Sequence, residues 1–302
     1  MLLDLGDDQI ALREGIRTLL AGRFGSDRIR AGFDRSMFDD LAAAGVFSLL
    51  ADGFSWADAV VVFEQLGAFC VPGPLVDSFL VGDGTIAGLI ERSVSPVVEH
   101  LDVLDRLIVL DDAVVEVAAS LLEATRLEWP LDPLTPVWRA TAIPAGVPIA
   151  GADPHEWRRR GAVLTAAFGL GMSQYLSDAS VEYAKQRIQF DRPIGSFQAV
   201  KHLLADMAVR AETARAAVYN AGAHLDAPDI AGLDRSVSVA KALAGEAAIR
   251  NGNDATQVHG GMGFTWEVDV HLYLKRAWVL DTRFGSADSH YDAIAASLTS
   301  RE

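Results

Sequence analysis

The chain has 302 residues, half of them hydrophobic, which is enough for a sizeable core. Its 41 acidic residues outnumber its 26 lysines and arginines, giving a formal net charge of −15. This acidic excess argues against a protein that binds nucleic acid or an anionic membrane surface. A single cysteine, Cys70, excludes an intramolecular disulfide framework and a cysteine-rich metal site, and we expect its thiol to be buried.

Residues 1–82 carry the apolar spacing of helices. Apolar side chains recur at helical spacing over residues 10–20, and residues 37–44 and 56–66 predict two further helices that stop at glycines. The first residues are acidic and lack the basic segment of a signal peptide, and no run of about 18 apolar residues occurs. We therefore predict a cytoplasmic protein that neither binds nor spans a membrane.

The middle of the chain has a different residue pattern, with short apolar runs between turn residues. Residues 83–100 fit no clear pattern, and one short helix is the expectation there. Residues 107–110, 113–117 and 138–143 are short runs rich in β-branched side chains. Such runs, separated by Asp- and Pro-rich turns, predict the strands of a small β insert.

From residue 153 onward the pattern predicts an antiparallel bundle of long helices joined by short links. The predicted helices are 157–189, 197–224, 234–259, 270–280 and 287–298. The expected fold is mainly α, with an N-terminal helical domain at 1–100, a reduced β domain at 101–150 and a C-terminal four-helix bundle at 151–302. The seven histidines lack metal-ligand spacing, so we predict no metal.

One segment of the bundle carries residues suited to a diphosphate-linked dinucleotide. Arg187 offers a planar donor fork for phosphate, and Phe190, one helical turn on, offers a flat wall for adenine. Gln198 opens the next predicted helix, where free backbone N–H groups favour anions. A surface ion pair for Arg187 and core packing for Phe190 explain the same residues without any ligand.

A second segment is a glycine-rich turn. Gly260, Gly261 and Gly263 follow the helix predicted at 234–259. Glycine permits close backbone approach to a ligand, but a helix C-cap followed by a tight turn predicts the same residues. No strand precedes these glycines and their spacing differs from G-x-G-x-x-G, so they are not a Rossmann fingerprint.

Together, the two segments resemble the flavin-binding half of acyl-CoA dehydrogenases. The family's helix-turn-helix signature resembles RIQFDRPIGSFQAVKHLLADM, and its C-terminal signature resembles QVHGGMGFTWEVDVHLYLKRAW. Similar segments, such as DDQIALREGIRTLL and LDPLTPVWRA, extend the resemblance over nearly the whole chain. The resemblance implies the acyl-CoA dehydrogenase fold, FAD as cofactor, α,β-desaturation of an acyl-CoA and an electron-transferring flavoprotein as acceptor.

The resemblance also implies which residues contact FAD. In the family's dimers, these positions contact chiefly the adenosine diphosphate part of an FAD. The isoalloxazine of that FAD lies in the neighbouring subunit. The implied cofactor-binding residues are Arg187, Gln189, Phe190, Ile194, Phe197, Gln198, Gln257, Gly260 and Gly261.

The chain departs from the family at the catalytic base. Removing the α-proton of an acyl-CoA requires a positioned carboxylate, which the family supplies as a glutamate at one of two positions. The position after the C-terminal signature holds Phe284 here, and the alternative falls near Gly161. Glu156 and Asp281 are the nearest acids, and either would need an alignment slip. We therefore predict no catalytic residue in this chain.

The chain is also shorter than family members between residues of about 80 and 105, where the family has the isoalloxazine-covering half of its β domain. This combination is similar to one subunit of heteromeric bacterial acyl-CoA dehydrogenases that act on steroid-derived CoA thioesters. We predict a base-less, FAD-clamping subunit of an α2β2 heterotetramer whose homologous partner supplies the glutamate. Two alternatives stay open: a self-sufficient flavin-dependent oxidoreductase with a non-standard base, and a structural or regulatory subunit without flavin.

Overall fold

The structure is a computed structural model that describes residues 5–91, 96–228 and 232–299. Ten α-helices and nine short strands occur in these ranges. The helices are α1 Asp7–Arg23, α2 Ser26–Arg30, α3 Arg35–Ala43, α4 Trp56–Ala68, α5 Leu75–Val81, α6 Pro154–Gln186, α7 Gln198–Asp226, α8 Leu233–His259, α9 Val270–Asp281 and α10 Ala287–Thr299. The strands are β1 Ala87–Glu91, β2 Val97–Glu99, β3 Arg106–Leu110, β4 Val114–Val117, β5 Glu123–Arg126, β6 Val137–Ala142, β7 Val147–Pro148, β8 Ile188–Gln189 and β9 Arg192–Pro193.

Helix α4 is the centre of the N-terminal part. Its start is fixed by a capping box, in which the Ser55 hydroxyl accepts the Asp58 N–H and the Asp58 carboxylate accepts the Ser55 N–H. Residues 59–67 are all buried, because α4 packs against α1, α6 and α7. The predicted helical character of this part of the chain is confirmed, and Cys70, just after α4, is buried as expected.

The short helix expected within residues 83–100 is wrong for the described residues of that range. β1 and β2 lie there instead, so β structure begins before residue 101. β1 runs parallel to β3, with Ala87 opposite Arg106, in a sheet ordered β1-β3-β4-β7. Four of the five β1 residues are buried, so β1 lacks the alternation that marks a half-exposed strand. β2, β6 and β5 form a second, antiparallel sheet.

The C-terminal bundle is confirmed, with α6, α7 and α8 as its long helices. The helix predicted at 157–189 ends earlier, at Gln186, because residues 188–193 form the β8–β9 hairpin. No helix among the described residues is long and apolar enough to cross a membrane.

Glycines let α4 and α6 cross at close range. A Cβ on Gly67 would lie 2.8 Å from the Phe168 Cα, and a Cβ on Gly171 would lie 2.6 Å from the Ala68 nitrogen. Real Cβ atoms do not come so close to backbone, so each helix needs a glycine where it meets the other. The crossing fixes the bundle against the N-terminal helices and therefore fixes the surfaces that both present.

Candidate flavin-clamping surface and the base positions

The β8–β9 hairpin carries the first predicted cofactor segment. Ile188 pairs with Pro193 and Gln189 with Arg192, leaving Phe190 and Asp191 as the two-residue turn. Both turn residues have positive φ, 53° and 61°, as a type I′ hairpin turn requires. The expectation that Phe190 lies one helical turn from Arg187 is therefore wrong, since the backbone between them is a strand and a turn.

The hairpin side chains face outward. Phe190 is 85% exposed, which rules out core packing as the explanation for it. Arg187 is exposed and forms no ion pair within the described part of the chain, so a surface ion pair does not account for it either. Gln189 and Gln198 are also exposed, whereas Ile194 and Phe197 are half-buried. Gln198 opens α7, whose first turn has no side-chain cap.

Phe197 contacts two side chains of the β8–β9 hairpin, Arg192 and Phe190. The Arg192 guanidinium carbon lies 4.1 Å from the centre of the Phe197 ring, and the Phe190 ring meets the same ring edge-on with centroids 6.0 Å apart. Such cation–π and edge-to-face contacts each restrain the side chains involved. The sequence did not single out Arg192, because only the hairpin brings it back over Phe197.

The glycine turn lies at the end of α8. Gly260 has φ +59°, so its backbone conformation alone favours glycine. Gly261 is different: its φ is not positive, and a Cβ there would meet no atom of the described chain within 4 Å. Neither backbone strain nor packing among the described residues requires glycine at 261. The open face of Gly261 therefore fits a ligand or partner that approaches the backbone closely.

Tyr183 brings the two segments together. Its ring stacks on His259, with centroids 4.2 Å apart and planes at 24°, and its hydroxyl donates to the His259 carbonyl oxygen at 3.4 Å. The Tyr183 carbonyl also accepts the Arg187 N–H at 2.8 Å. Tyr183 thus links the end of α6, where the hairpin begins, to the end of α8, where the glycine turn begins. Gln257, two residues before the end of α8, is exposed.

The two positions at which the sequence resemblance places the family's base meet each other. The Phe284 ring packs onto Gly161, where a Cβ would lie 2.6 Å or less from three ring carbons. Phe284 is only 4% exposed and has φ +53°. Its backbone N–H donates to a Glu91 oxygen at 2.8 Å, and its carbonyl lies 2.9 Å from the His290 Nε2. The ring is therefore held in place and occupies the space that a carboxylate at either position would need.

Charged side chains lie next to the Phe284 ring and fill the space around it. Arg283 pairs with Asp77 at 2.5 Å and with Glu99 at 3.3 Å, and all three are largely buried. Only about 30 Å³ of open space remains between these groups and the Phe284 ring. Among the described residues, this space beside Phe284 is too small for an acyl chain.

Two titratable groups nearby, Glu156 and Lys241, have structural partners, whereas the buried Asp281 Oδ1 has no hydrogen-bond partner among the described residues. Glu156 is one of the two acids that an alignment slip would place at a base position. It forms an ion pair with Arg160 on the same helix. Burial lowers the pKa of Lys241 to about 8, and its Nζ donates to the carbonyl oxygens of Asp281 and Gly285 at 3.1 and 2.9 Å. Lys241 is 1% exposed, so it anchors the 281–285 segment and does not face a substrate.

Comparison with known proteins places this fold among the acyl-CoA dehydrogenases. The family model "Acyl-CoA dehydrogenase, C-terminal domain" matches residues 159–299. The acyl-CoA dehydrogenase IpdE2 of Mycobacterium tuberculosis is 30% identical over 90% of this chain and 91% of its own length.

Solved structures share the whole fold. The ChsE4–ChsE5 complex from Mycobacterium tuberculosis contains a chain with a TM-score of 0.87 at 24% identity, covering 100% of both chains. The structure described as the Tcur3481–Tcur3483 steroid ACAD G363A variant gives a TM-score of 0.82 at 20% identity, covering 98% of this chain and 99% of its match. The near full-length match to IpdE2, together with the family model, shows that the chain belongs to the acyl-CoA dehydrogenase family, the FAD-dependent oxidoreductases that act on acyl-CoA.

Proposed function

We propose that this chain is the base-less, FAD-clamping subunit of a heteromeric acyl-CoA dehydrogenase. The observation that carries the proposal is the contact between Phe284 and Gly161. α-Proton removal needs a carboxylate base in reach of the substrate, and an aromatic ring on a glycine can neither accept a proton nor leave room for the acyl group. The base and the acyl pocket must then come from another subunit.

The clamping role rests on the hairpin and the glycine turn. Arg187, Gln198 and Gln257 are exposed, and their side chains have no partner within the described ranges. Arginine suits a diphosphate because its fork donates two parallel hydrogen bonds. The open face of Gly261 allows a ligand to approach the backbone. FAD, when bound, supplies the hydride acceptor of the reaction, and these residues would hold its adenosine diphosphate end.

Preorganisation supports the same assignment. The Tyr183–His259 stack and the Arg192–Phe197 contact hold the two segments before any ligand arrives. A rigid surface loses less conformational entropy on binding, so more of the contact energy remains as affinity. Phe190, exposed at the hairpin tip, offers the apolar face against which an adenine or a partner surface can pack.

The partner is proposed to be a homologous acyl-CoA dehydrogenase subunit in an α2β2 heterotetramer. Two of the similar solved structures are complexes of two named proteins, and one of them is described as a steroid ACAD. A steroid-derived CoA thioester is therefore the first substrate to test. An electron-transferring flavoprotein as acceptor remains a prediction from the family resemblance.

The test is co-expression of the tagged chain with acyl-CoA-dehydrogenase-like genes encoded beside it, followed by purification and FAD quantitation. We expect a stable complex with about one FAD per heterodimer and a colourless chain when it is expressed alone. In the complex, Arg187→Ala should lower the FAD content, whereas Arg250→Ala, on the exposed i,i+4 pair with Glu246, should not.

Two outcomes would contradict the proposal. A yellow homo-oligomer of this chain that desaturates acyl-CoA by itself would favour a self-sufficient enzyme with another base. A complex whose FAD content is the same with Arg187 and with alanine at that position would favour a subunit that takes no part in flavin binding.

A further inference from the structure

A large cavity lies between the N-terminal helices and the bundle. Its volume is about 930 Å³, and residues of α1, α2, α4, α6, α7 and α9 line it. This volume falls in the range of small-molecule sites, about 300–1,000 Å³. None of its lining residues belongs to the hairpin, to the glycine turn or to the Phe284–Gly161 contact. The flavin-clamping role therefore leaves the cavity unexplained.

Aromatic side chains form one wall. Tyr175 and Tyr273 stack with centroids 4.2 Å apart and planes at 7°, and the Tyr273 hydroxyl donates to the Ala68 carbonyl at 2.8 Å. Phe24 and Phe69 also line the cavity. Because the stack and the hydrogen bond hold the tyrosines, this wall is flat and preorganised. Such a wall suits the apolar body of a ring-bearing ligand.

One polar side chain is open to the cavity and free to meet a ligand. Gln65 lines the cavity and is only 6% exposed, yet its side-chain amide has no hydrogen-bond partner within the described ranges. The amide is not among the fully buried unpaired side-chain atoms, so it faces the open cavity, where it can donate to or accept from a polar atom of a ligand. By contrast, its neighbour Glu64 is fully engaged, since it accepts from Arg215 and from the Tyr219 hydroxyl.

The charges around the cavity favour a single anionic group. Arg13 and Arg17 lie one turn apart on α1 and both line the cavity. Arg17 has no ion pair among the described residues, and Arg13 has only a 3.4 Å contact with the adjacent Glu14. Asp178 and Glu212 on α6 and α7 line it as well. These acids disfavour negative charge elsewhere on the ligand, so one terminal anion near α1 fits best.

We propose that this cavity binds an amphipathic monocarboxylate with a ring-bearing apolar body. The carboxylate binds Arg13 and Arg17, the rings pack on Tyr175 and Tyr273, and Gln65 hydrogen-bonds a polar atom of the ligand. The site is independent of flavin binding, so its test does not depend on the catalytic assembly.

The test is calorimetric titration of the full chain with naphthalene-2-carboxylate and with naphthalene-2-carboxamide, its neutral counterpart of the same shape. We expect the carboxylate to bind at least about tenfold tighter, because hydrogen bonds to a charged group are the stronger kind. Arg17→Ala should abolish this preference without unfolding the chain, since Arg17 is exposed. Arg250→Ala, outside the cavity, should leave the preference intact.

A second variant tests the cavity itself. Ala21 is exposed on α1 and lines the cavity, so Ala21→Trp should fill part of it and weaken both ligands at least about tenfold. The proposal is overturned if the carboxylate and the carboxamide bind equally. It is also overturned if neither binds, or if Ala21→Trp leaves the affinity for the carboxylate unchanged.

Discussion

The contact between Phe284 and Gly161 allows a sharp prediction about stability. In Gly161→Ala, the new Cβ would lie 2.6 Å or less from three ring carbons, whereas carbon atoms pack at about 3.5–4.0 Å. The ring or the helix must therefore move by about 1 Å. Overpacking of this kind costs about 1–3 kcal/mol. Replacing a helical glycine by alanine contributes about 1 kcal/mol of stability in return.

A double-mutant cycle separates these two effects. Phe284→Ala alone should lower the free energy of unfolding by about 3–5 kcal/mol, because it removes a buried ring. In that background Gly161→Ala meets no ring and should stabilise the chain by about 1 kcal/mol. The coupling free energy between the two sites should therefore be about 1–3 kcal/mol.

The assay is urea unfolding followed by circular dichroism, analysed for the free energy of unfolding of the parent chain, the two single variants and the double variant. Gly15→Ala is the matched control, since Gly15 lies within α1 and a Cβ there would meet nothing within 4 Å. It should stabilise the chain by about 0.5–1 kcal/mol in either background. A coupling below about 0.5 kcal/mol would refute the proposed contact, because distant sites are additive to that level.

Three further predictions concern other contacts. Burial lowers the pKa of Lys241 to about 8 in the folded chain. Above that pH the unfolded chain binds more protons than the folded chain, so the free energy of unfolding should rise with pH up to about 10. Lys241→Met should remove this rise in unfolding measurements. Asp132→Ala leaves Arg276 buried without its partner and should lower the free energy of unfolding by about 3–5 kcal/mol. Tyr183→Ala removes the stack on His259 and should weaken FAD binding by the complex roughly two- to tenfold, measured by flavin fluorescence.

Each has a result that would contradict it. A pH profile shared by the parent chain and Lys241→Met would show that this ammonium group does not titrate as described. For Asp132, the control is Glu182→Ala, whose exposed pair with Lys185 should contribute less than about 1 kcal/mol. Equal losses in the two variants would mean that the Asp132 pair is not buried. Unchanged FAD affinity in Tyr183→Ala would mean that the stack does not position the clamp.

The sequence predicted the helices well because their apolar spacing is local information. The bounds of α4, α7, α8 and α9 lie within a few residues of the predicted ones. β1 was missed because it is buried nearly throughout, and a short continuous apolar run does not distinguish a strand from a helix. Its identity depends on pairing with β3, which no local pattern records.

The candidate site also contains residues that the sequence could identify and residues whose roles depend on tertiary contacts. Exposed polar residues such as Arg187 and Gln257 could be identified from motif resemblance, since they stand in recognisable segments. Tyr183 and Arg192 could not, because their roles arise from contacts made only after folding. The sequence also indicated that Phe284 and Gly161 are not acids. That these two positions touch each other follows only from the packing of the 284 segment against α6.

The Phe284–Gly161 contact also limits how this chain could change over time. An acidic side chain at position 161 would have no space until the ring had gone, and losing the ring first would open a cavity in a buried region. A glutamate in place of Phe284 would be buried next to Glu91, which already accepts the backbone N–H of that position. Neither single substitution is an easy step, so a carboxylate at either position would be gained only through paired changes at 161 and 284.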